Sequence, residues 1–240
     1  MSTKLVIFIH GILEGPQQFN DFILNVPDSF SSINVLLPGH GGTVEEFANS
    51  NMFLWKQHLY TIIEEEQSHY DDIILVGHSM GTLLAVDCSL VYPDKIKGLF
   101  LLAMPTRIRL TLTGAINSLK VGANRINEFN PLECAAKRAY SLTPTLSYNY
   151  LRFIPRYFEL FKECYQVKSS LQNLTIPFII FQSGQDEFVA PSSINDFSSY
   201  PHCYLLKESG HFYYIKSERE QILSHFQDFL ACYDSILHDR

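Results

Sequence analysis

The stretch of sequence that decides the fold runs from residue 73 to residue 87 and reads IILVGHSMGTLLAVD. Four consecutive apolar residues at its start predict a strand that is buried on both faces. The apolar residues after Gly81 predict a helix. Between them, Gly-His-Ser-Met-Gly at 77–81 predicts a turn so sharp that a side chain at Gly77 or Gly81 would collide with neighbouring backbone. The serine at the centre, Ser79, is therefore held up at the edge of a sheet.

The rest of the chain repeats this alternation of strand and helix. Runs of apolar and β-branched residues predict strands at 5–10, 34–37, 73–77, 98–103, 178–183 and 203–207. Helical patterns lie between them, at 16–25, 53–68, 80–92, 192–198 and 215–237. Such alternation predicts an α/β fold, with a mostly parallel sheet of about six strands and helices on both faces.

Residues 106–173 interrupt the alternation and predict a separate helical unit. Two or three helical patterns follow one another here without a buried strand, separated by Pro131, Pro144 and Pro155. We therefore expect a core made of residues 1–105 and 174–240, with 106–173 inserted as a helical cap over the carboxyl ends of the strands. A helical decoration that only covers the core is the alternative. The insertion is rich in aromatic residues: Phe129, Tyr140, Tyr148, Tyr150, Phe153, Tyr157, Phe158, Phe161 and Tyr165.

A serine hydroxyl becomes a good nucleophile only when a base removes its proton, and a carboxylate commonly orients that base. Asp186 directly follows the predicted strand 178–183, and His211 follows the strand 203–207. Both therefore lie at the same edge of the sheet as Ser79. We predict a catalytic triad of Ser79 as nucleophile, His211 as general base and Asp186 as the orienting acid.

Other residues compete for these roles. Glu187 is adjacent to Asp186 and is an alternative acid, although the side chain one residue further on is expected to point away. His10, His40 and His78 also lie near the ends of strands, which leaves a three-histidine metal site as a disfavoured alternative. We expect His10 to shape its loop and His40 to hydrogen-bond to loop backbone.

These motifs together resemble one branch of a known superfamily. The motifs are His-Gly at 10–11, Pro-Gly-His-Gly at 38–41, Gly-His-Ser-Met-Gly at 77–81, the turn at Asp186 and Ser-Gly-His at 209–211. They are similar to those of the carboxylesterase and monoacylglycerol-lipase branch of the α/β-hydrolases, with the family's first antiparallel hairpin apparently missing. The resemblance implies the triad above, no cofactor, and an oxyanion hole formed by the backbone N–H groups of Ile12 and Met80.

Composition and charge exclude some partners. The net charge of −7 argues against nucleic acid as a partner, because phosphate binding needs a basic face. Residues 106–173 differ in net charge from the rest of the chain, because they contain ten lysines and arginines but only four glutamates. No apolar run reaches the roughly 20 residues that span a bilayer, so stable membrane insertion is not expected. Five scattered cysteines favour free thiols in the cytoplasm over disulfides or zinc.

The sequence thus predicts a serine hydrolase that acts on small or medium lipophilic carboxylic esters through an acyl-enzyme, as a monomer or a homodimer. A thioesterase, or another acyl hydrolase on the same triad, is the nearest alternative. A ligand receptor that has kept the triad on a hydrolase scaffold is an alternative from a different class. The basic insertion also raises the possibility of anionic substrates.

Overall fold

Six strands form one sheet in the order β2-β1-β3-β4-β5-β6. The computed structural model describes residues 4–144 and 147–235. Every neighbouring pair of these strands is parallel. The predicted α/β fold with about six strands is confirmed. The strands are β1 (Lys4–Ile9), β2 (Phe30–Val35), β3 (Asp72–His78), β4 (Ile96–Leu102), β5 (Phe178–Ser183) and β6 (Cys203–Leu206).

Helices connect these strands and cover the sheet. Short 3-10 helices occur at Pro16–Phe19, Ser147–Phe153, Leu171–Asn173 and Pro191–Phe197. The α-helices are α1 (Asn20–Ile23), α2 (Val44–Asn49), α3 (Met52–Glu66), α4 (Met80–Val91), α5 (Leu112–Gly122), α6 (Pro131–Ala139), α7 (Ile154–Ser170) and α8 (Lys216–Ser235). Residues 236–237, where we expected the last helix to end, lie outside the described part of the chain.

Two apolar cores lie on opposite faces of the sheet, because alternate residues of a strand point to opposite sides. In β1, Leu5 and Ile7 belong to one cluster of buried side chains, whereas Val6 and Phe8 belong to the other. Helices α3, α4 and α7 cover the first face, and α1 and α8 cover the second. Burial on both faces explains why the central strands are continuously apolar.

The structure differs from the expected elements in two places. Strand β2 begins at Phe30, four residues before the predicted start, because it is an edge strand whose Ser31 and Ser32 are exposed. An edge strand does not need a continuous apolar run, so its sequence signal is weak. Helix α2 was not predicted, although Thr43 and Glu46 form a capping box at its start.

Helices α5, α6 and α7 follow β4 and precede β5, where the sequence predicted an insertion. Backbone hydrogen bonds join this segment to the loop after β1, from Ser141 N to Leu13 O and from Gly15 N to Ala139 O. Helix α7 also packs into the core through Leu160. The side chains of Tyr148 and Tyr150, which we counted among its aromatic residues, lie outside the described part. Among the described helices, none combines the length and apolarity needed to cross a membrane.

Candidate active site

The backbone of Ser79 has an unusual conformation that raises its side chain at the edge of the sheet. Its φ of 51° and ψ of −123° lie where residues with a Cβ are seldom found. A Cβ on Gly81 would come within 1.9 Å of the Ile9 carbonyl oxygen, and one on Gly77 within 2.7 Å of the backbone at Thr82. The steric reason for the two glycines is therefore confirmed.

Ser79 lies at the N-terminus of a buried helix. Met80 is the first residue of α4, where backbone N–H groups have no acceptor within the helix and favour nearby negative charge. The Ser79 amide donates to the carbonyl of Leu102, at 2.9 Å, which fixes the turn against β4. Ile12, the second predicted oxyanion donor, lies in the loop after β1 and lines the same cavity as Ser79. The two predicted donor residues thus come from the loop after β1 and from the N-terminus of α4.

His211 and Asp186 are brought together as the sequence predicted. The imidazole Nδ1 lies 2.8 Å from Asp186 Oδ2, and both side chains are almost fully buried. Asp186 Oδ1 accepts the backbone N–H groups of Phe188 and Val189, each at 2.8 Å, so the carboxylate is fixed in place. Burial by itself would lower the pKa of His211. The charge and hydrogen bond of Asp186 outweigh it and raise that pKa above its ordinary value.

Glu187, the alternative acid, has a different role in the structure. Its Oε2 accepts the backbone N–H of His211 at 2.9 Å. Its carboxylate therefore orients the loop that carries the histidine, while Asp186 takes the imidazole itself. The two side chains point in different directions, as expected for adjacent residues, so Asp186 contacts the imidazole and Glu187 contacts the backbone of His211.

A cavity of about 550 Å³ joins the serine and the histidine. Ser79 and His211 both line it, and most of the other lining side chains are apolar. Several come from the inserted segment and the loops beside it: Ile108, Leu110, Ala115, Leu119, Val121, Tyr140, Phe153, Tyr157, Leu160 and Phe161. A cavity of this size and polarity suits an apolar ligand of medium size.

Ser79 and His211 face the same cavity, but among the described residues no hydrogen bond joins the hydroxyl to the imidazole. The Nε2 atom of His211 lies instead 3.9 Å from Oε1 of Glu14. Catalytic hydrogen bonds are often long in the absence of substrate and tighten in the complex. The structure therefore pairs His211 with Asp186 and places Ser79 on the wall of the same cavity.

Glu14 is the residue of this site that sequence reasoning missed. It is 1% exposed, and both of its oxygens lie within 2.9 Å of His78 Nδ1. Its Oε2 also accepts the Gly11 N–H at 2.8 Å. Burial would raise the pKa of Glu14, but the charge and hydrogen bond of His78 outweigh it, and the pKa is lowered. A carboxylate thus stands beside His211.

The sequence offered little to find Glu14. It occurs in a short loop between Gly11 and Pro16, flanked by apolar residues and glycine, and a single loop carboxylate ordinarily faces solvent. Its inward direction depends on His78, whose other ring nitrogen, Nε2, lies 3.0 Å from the carbonyl oxygen of His211. The contact between these residues is visible only once the loop after β1 is placed over the serine turn.

The other two histidines have no contact with the reacting groups. His10 bonds to the carbonyl of Gly11 at 2.9 Å through Nδ1 and accepts the N–H of Leu37 at 3.1 Å through Nε2, so it shapes its loop as expected. His40 differs from expectation, because neither ring nitrogen has a hydrogen-bond partner among the described residues. It packs between His10 and Trp55, and its burial lowers its pKa well below the ordinary value.

One group of side chains has the composition of a metal site. Glu14, His78 and His211 place possible ligand atoms within 4.8 Å of one another. Both ring nitrogens of His78 already have hydrogen-bond partners, however, and the buried pair of Glu14 and His78 accounts for the cluster. The disfavoured set of His10, His40 and His78 is not brought together, because His78 turns toward Glu14 instead.

The fold and this site define the chain as an α/β-hydrolase-fold protein with a strained serine turn beside a paired histidine and aspartate. Residues 4–120 match the family described as alpha/beta hydrolase fold. The chain therefore has the α/β-hydrolase fold. Over 100 residues it is 31% identical to a pimeloyl-[acyl-carrier protein] methyl ester esterase of Wigglesworthia glossinidia brevipalpis. That match covers 41% of this chain and 35% of the relative's length.

Solved structures share the fold across nearly the whole chain. A structure from work on LipS and LipT, two metagenome-derived lipolytic enzymes, superposes with a TM-score of 0.72 at 20% identity, covering 96% of this chain and 94% of that one. A monoacylglycerol lipase of Paleococcus ferrophilus gives a TM-score of 0.64 at 18% identity, covering 95% and 96%. At such identities the likeness establishes the fold.

Proposed function

We propose that this chain is a serine hydrolase that cleaves carboxylic esters through an acyl-enzyme. The observation that carries the proposal is the 2.8 Å contact between His211 and Asp186 at the wall of a cavity that Ser79 also lines. The strained turn at Ser79 adds support, because strain at a buried serine costs stability and is typical of functional positions.

The proposed cycle uses the chain's own side chains. Ser79 Oγ attacks the ester carbonyl while Nε2 of His211 takes the hydroxyl proton, and the amides of Ile12 and Met80 stabilise the oxyanion. His211 then gives its proton to the departing alcohol, which leaves an acyl group on Ser79. A water molecule that loses a proton to the same histidine hydrolyses the acyl-enzyme. Asp186 stabilises the imidazolium in both steps.

We infer the substrate class from the cavity. Its lining is mainly apolar, and about 550 Å³ corresponds to roughly eighteen groups the size of a water or a methylene, at ~30 Å³ each. An ester with a medium-length acyl chain fits this space. The inserted residues 106–173 then act as a cap, because side chains such as Leu119 and Tyr157 supply much of the wall. The carboxylate of Glu14 lines the cavity together with Ser79, so it disfavours a substrate that carries a negative charge next to the ester.

We also propose that the protein works in the cytoplasm, as a monomer or a homodimer. Cys88, Cys134, Cys164 and Cys203 are free thiols, as expected for a reducing compartment, and Cys88 and Cys164 are buried. Burial raises the pKa of Cys164 to about 12, so this thiol is an inert part of the core.

Turnover of p-nitrophenyl esters of increasing acyl length tests the proposal. Wild type should hydrolyse medium-chain esters, and Ser79→Ala or His211→Ala should each lower kcat by about 10⁴-fold or more. Ser89→Ala is a matched control, because Ser89 is buried on the same helix but bonds within it to Val86 O. Equal loss in the control, or full activity in Ser79→Ala, would reject the proposal.

The same assay separates the alternatives. A matched pair of an ester and a thioester with one acyl group shows which leaving group is preferred, and a higher kcat/KM for the thioester would make thioesterase the better description. The receptor alternative predicts saturable binding of the esters by wild type with no turnover at any chain length.

A further inference from the structure

Large apolar side chains stand exposed in two stripes on the inserted segment. The spacing in each stripe is that of one helix face. We call these seven residues the apolar face. On α5 they are Leu112 (77% exposed), Ile116 (44%) and Leu119 (52%), and on α7 they are Ile154 (46%), Phe158 (67%), Phe161 (47%) and Tyr165 (79%).

Each stripe contributes one residue to the wall of the cavity. Leu119 from α5 and Phe161 from α7 belong to the apolar face and also line the cavity that contains Ser79. Phe158 continues the surface outward from Phe161, with ring centroids 6.5 Å apart at 89°. Exposed apolar patches of this kind on soluble proteins commonly mark an interaction site. Here two residues of the apolar face, Leu119 and Phe161, are also part of the cavity wall, so a surface bound to this face would lie beside the cavity.

Charge indicates what kind of surface this face meets. The inserted segment carries six more positive than negative charges, whereas the rest of the chain carries thirteen more negative than positive. Lys162, one turn beyond Phe158, and Arg152, just before Ile154, are both exposed. An anionic surface would attract this side and repel the remainder, and the protein would approach it with the cavity mouth forward.

We propose that the apolar face docks reversibly on an anionic lipid surface and so places the cavity mouth against it. Helices with apolar side chains next to lysine and arginine bind such surfaces by burying the apolar residues at the headgroup boundary. A second copy of this chain is a poorer occupant, because a two-fold contact would oppose one positive segment to another. An acidic protein partner would match the positive charge of the inserted segment. Binding to it would not require so many large, exposed aromatic and aliphatic side chains on one face.

Co-sedimentation with vesicles tests the proposal. The probes are vesicles of phosphatidylcholine alone and of phosphatidylcholine mixed with phosphatidylglycerol, and the protein carries Ser79→Ala so that binding is measured without turnover. We expect binding to the mixed vesicles that weakens with added salt. The double variant Leu112→Ser and Phe158→Ser, neither of which lines the cavity, should bind at least about tenfold more weakly.

Val91→Ser is the matched control. Val91 is 49% exposed and ends α4, roughly 18 Å along the helix from Ser79 at 1.5 Å per residue, at the opposite end of the strands. The control should bind as tightly as the parent, and thermal unfolding should show that all variants are folded.

Unchanged binding in the double variant, or no preference for anionic vesicles, would overturn the proposal. A concentration-dependent dimer that the double variant abolishes, without vesicle binding, would assign the face to a second copy instead.

Because this assay involves no catalysis, its outcome is independent of the proposed ester hydrolysis. Lys162→Glu provides a second measurement, since replacing an exposed positive charge by a negative one should weaken binding to mixed vesicles and leave the weak binding to neutral vesicles unchanged. An equal effect on both kinds of vesicle would show that charge plays no part, and would contradict the choice of an anionic surface.

Discussion

The strained backbone at Ser79 predicts a reversal in the usual effect of glycine on stability. Both Ser79→Gly and Ser79→Ala remove the hydroxyl, so their difference isolates the cost of a Cβ at φ 51° and ψ −123°. Relief of such strain is worth about 1–3 kcal/mol. The greater freedom of glycine in the unfolded chain costs about 0.5–1 kcal/mol. Ser79→Gly should therefore be more stable than Ser79→Ala by up to about 2.5 kcal/mol, and we expect both to be inactive.

Ser198 supplies the matched control for this comparison. It is exposed, and its φ of −61° and ψ of −20° are ordinary for any residue. At this position Gly should be less stable than Ala by about 0.5–1 kcal/mol, which is the opposite sign. Urea unfolding followed by tryptophan fluorescence gives both differences, provided that the slope m is unchanged between variants.

The reversal of sign is the decisive result. A difference of 1 kcal/mol corresponds to a shift of about 2–4 °C in Tm for a protein of this size, so thermal unfolding provides an independent measurement. If Ala at position 79 is more stable than Gly by as much as it is at position 198, Ser79 is not strained. The account of the serine turn would then be wrong.

Four further predictions concern the chemistry and the cavity. Asp186→Asn should lower kcat by about 10⁴-fold, because an amide favours the wrong tautomer of the histidine. Glu187→Gln should cost less than about tenfold, because an amide oxygen can still accept the backbone N–H of His211. Only neutral His211 can act as a base, and the nearby carboxylates raise its pKa, so the acid limb of the kcat/KM profile should lie above the ordinary imidazole pKa. Glu14→Gln removes one of these negative charges, which should lower the pKa of His211 and move the acid limb to lower pH. An unmoved limb would show that Glu14 does not act on the histidine. Ala115→Phe should fill part of the cavity and lower kcat/KM for long acyl chains, by about fourfold for each methylene that loses its contact, with little effect on acetate esters.

The sheet could be predicted from the sequence wherever a strand is buried on both faces. Strands β1, β3 and β4 are continuous apolar runs, and their predicted positions agree with the observed ones to within two residues. Strand β2 could not be located as well, because two of its six residues, Ser31 and Ser32, are exposed serines that interrupt the apolar pattern. Helix α2 is too short for helical periodicity to reveal it, although Thr43 and Glu46 carry the capping signal.

The histidine and the acid could be predicted for a related reason. Asp186 and His211 each follow a strand directly, and the carboxyl ends of parallel strands share one edge of the sheet. Glu14 shows where this logic ends. Its importance comes from a contact between the loop after β1 and His78, and no spacing in the sequence encodes the direction in which a loop side chain turns.

The shape of the cavity was also beyond sequence reasoning. Aromatic residues in the insertion indicated apolar surface, but not which of them face the serine. The structure divides them: Phe153 and Tyr157 line the cavity, whereas Phe158 and Tyr165 point outward into the apolar face. Helical periodicity groups residues three and four apart on one face of a helix. Which of these faces points into the cavity depends on how the helix is placed over the sheet.

Labelling with a fluorophosphonate, followed by peptide mass spectrometry, tests the central claim most directly. The account predicts a single adduct on the peptide that contains Ser79, absent from Ser79→Ala and formed far more slowly in His211→Ala, because the reaction needs both a hydroxyl that the probe can reach through the cavity and a base beside it. Folded wild-type protein that forms no adduct, or an adduct on a different serine that survives Ser79→Ala, would contradict it.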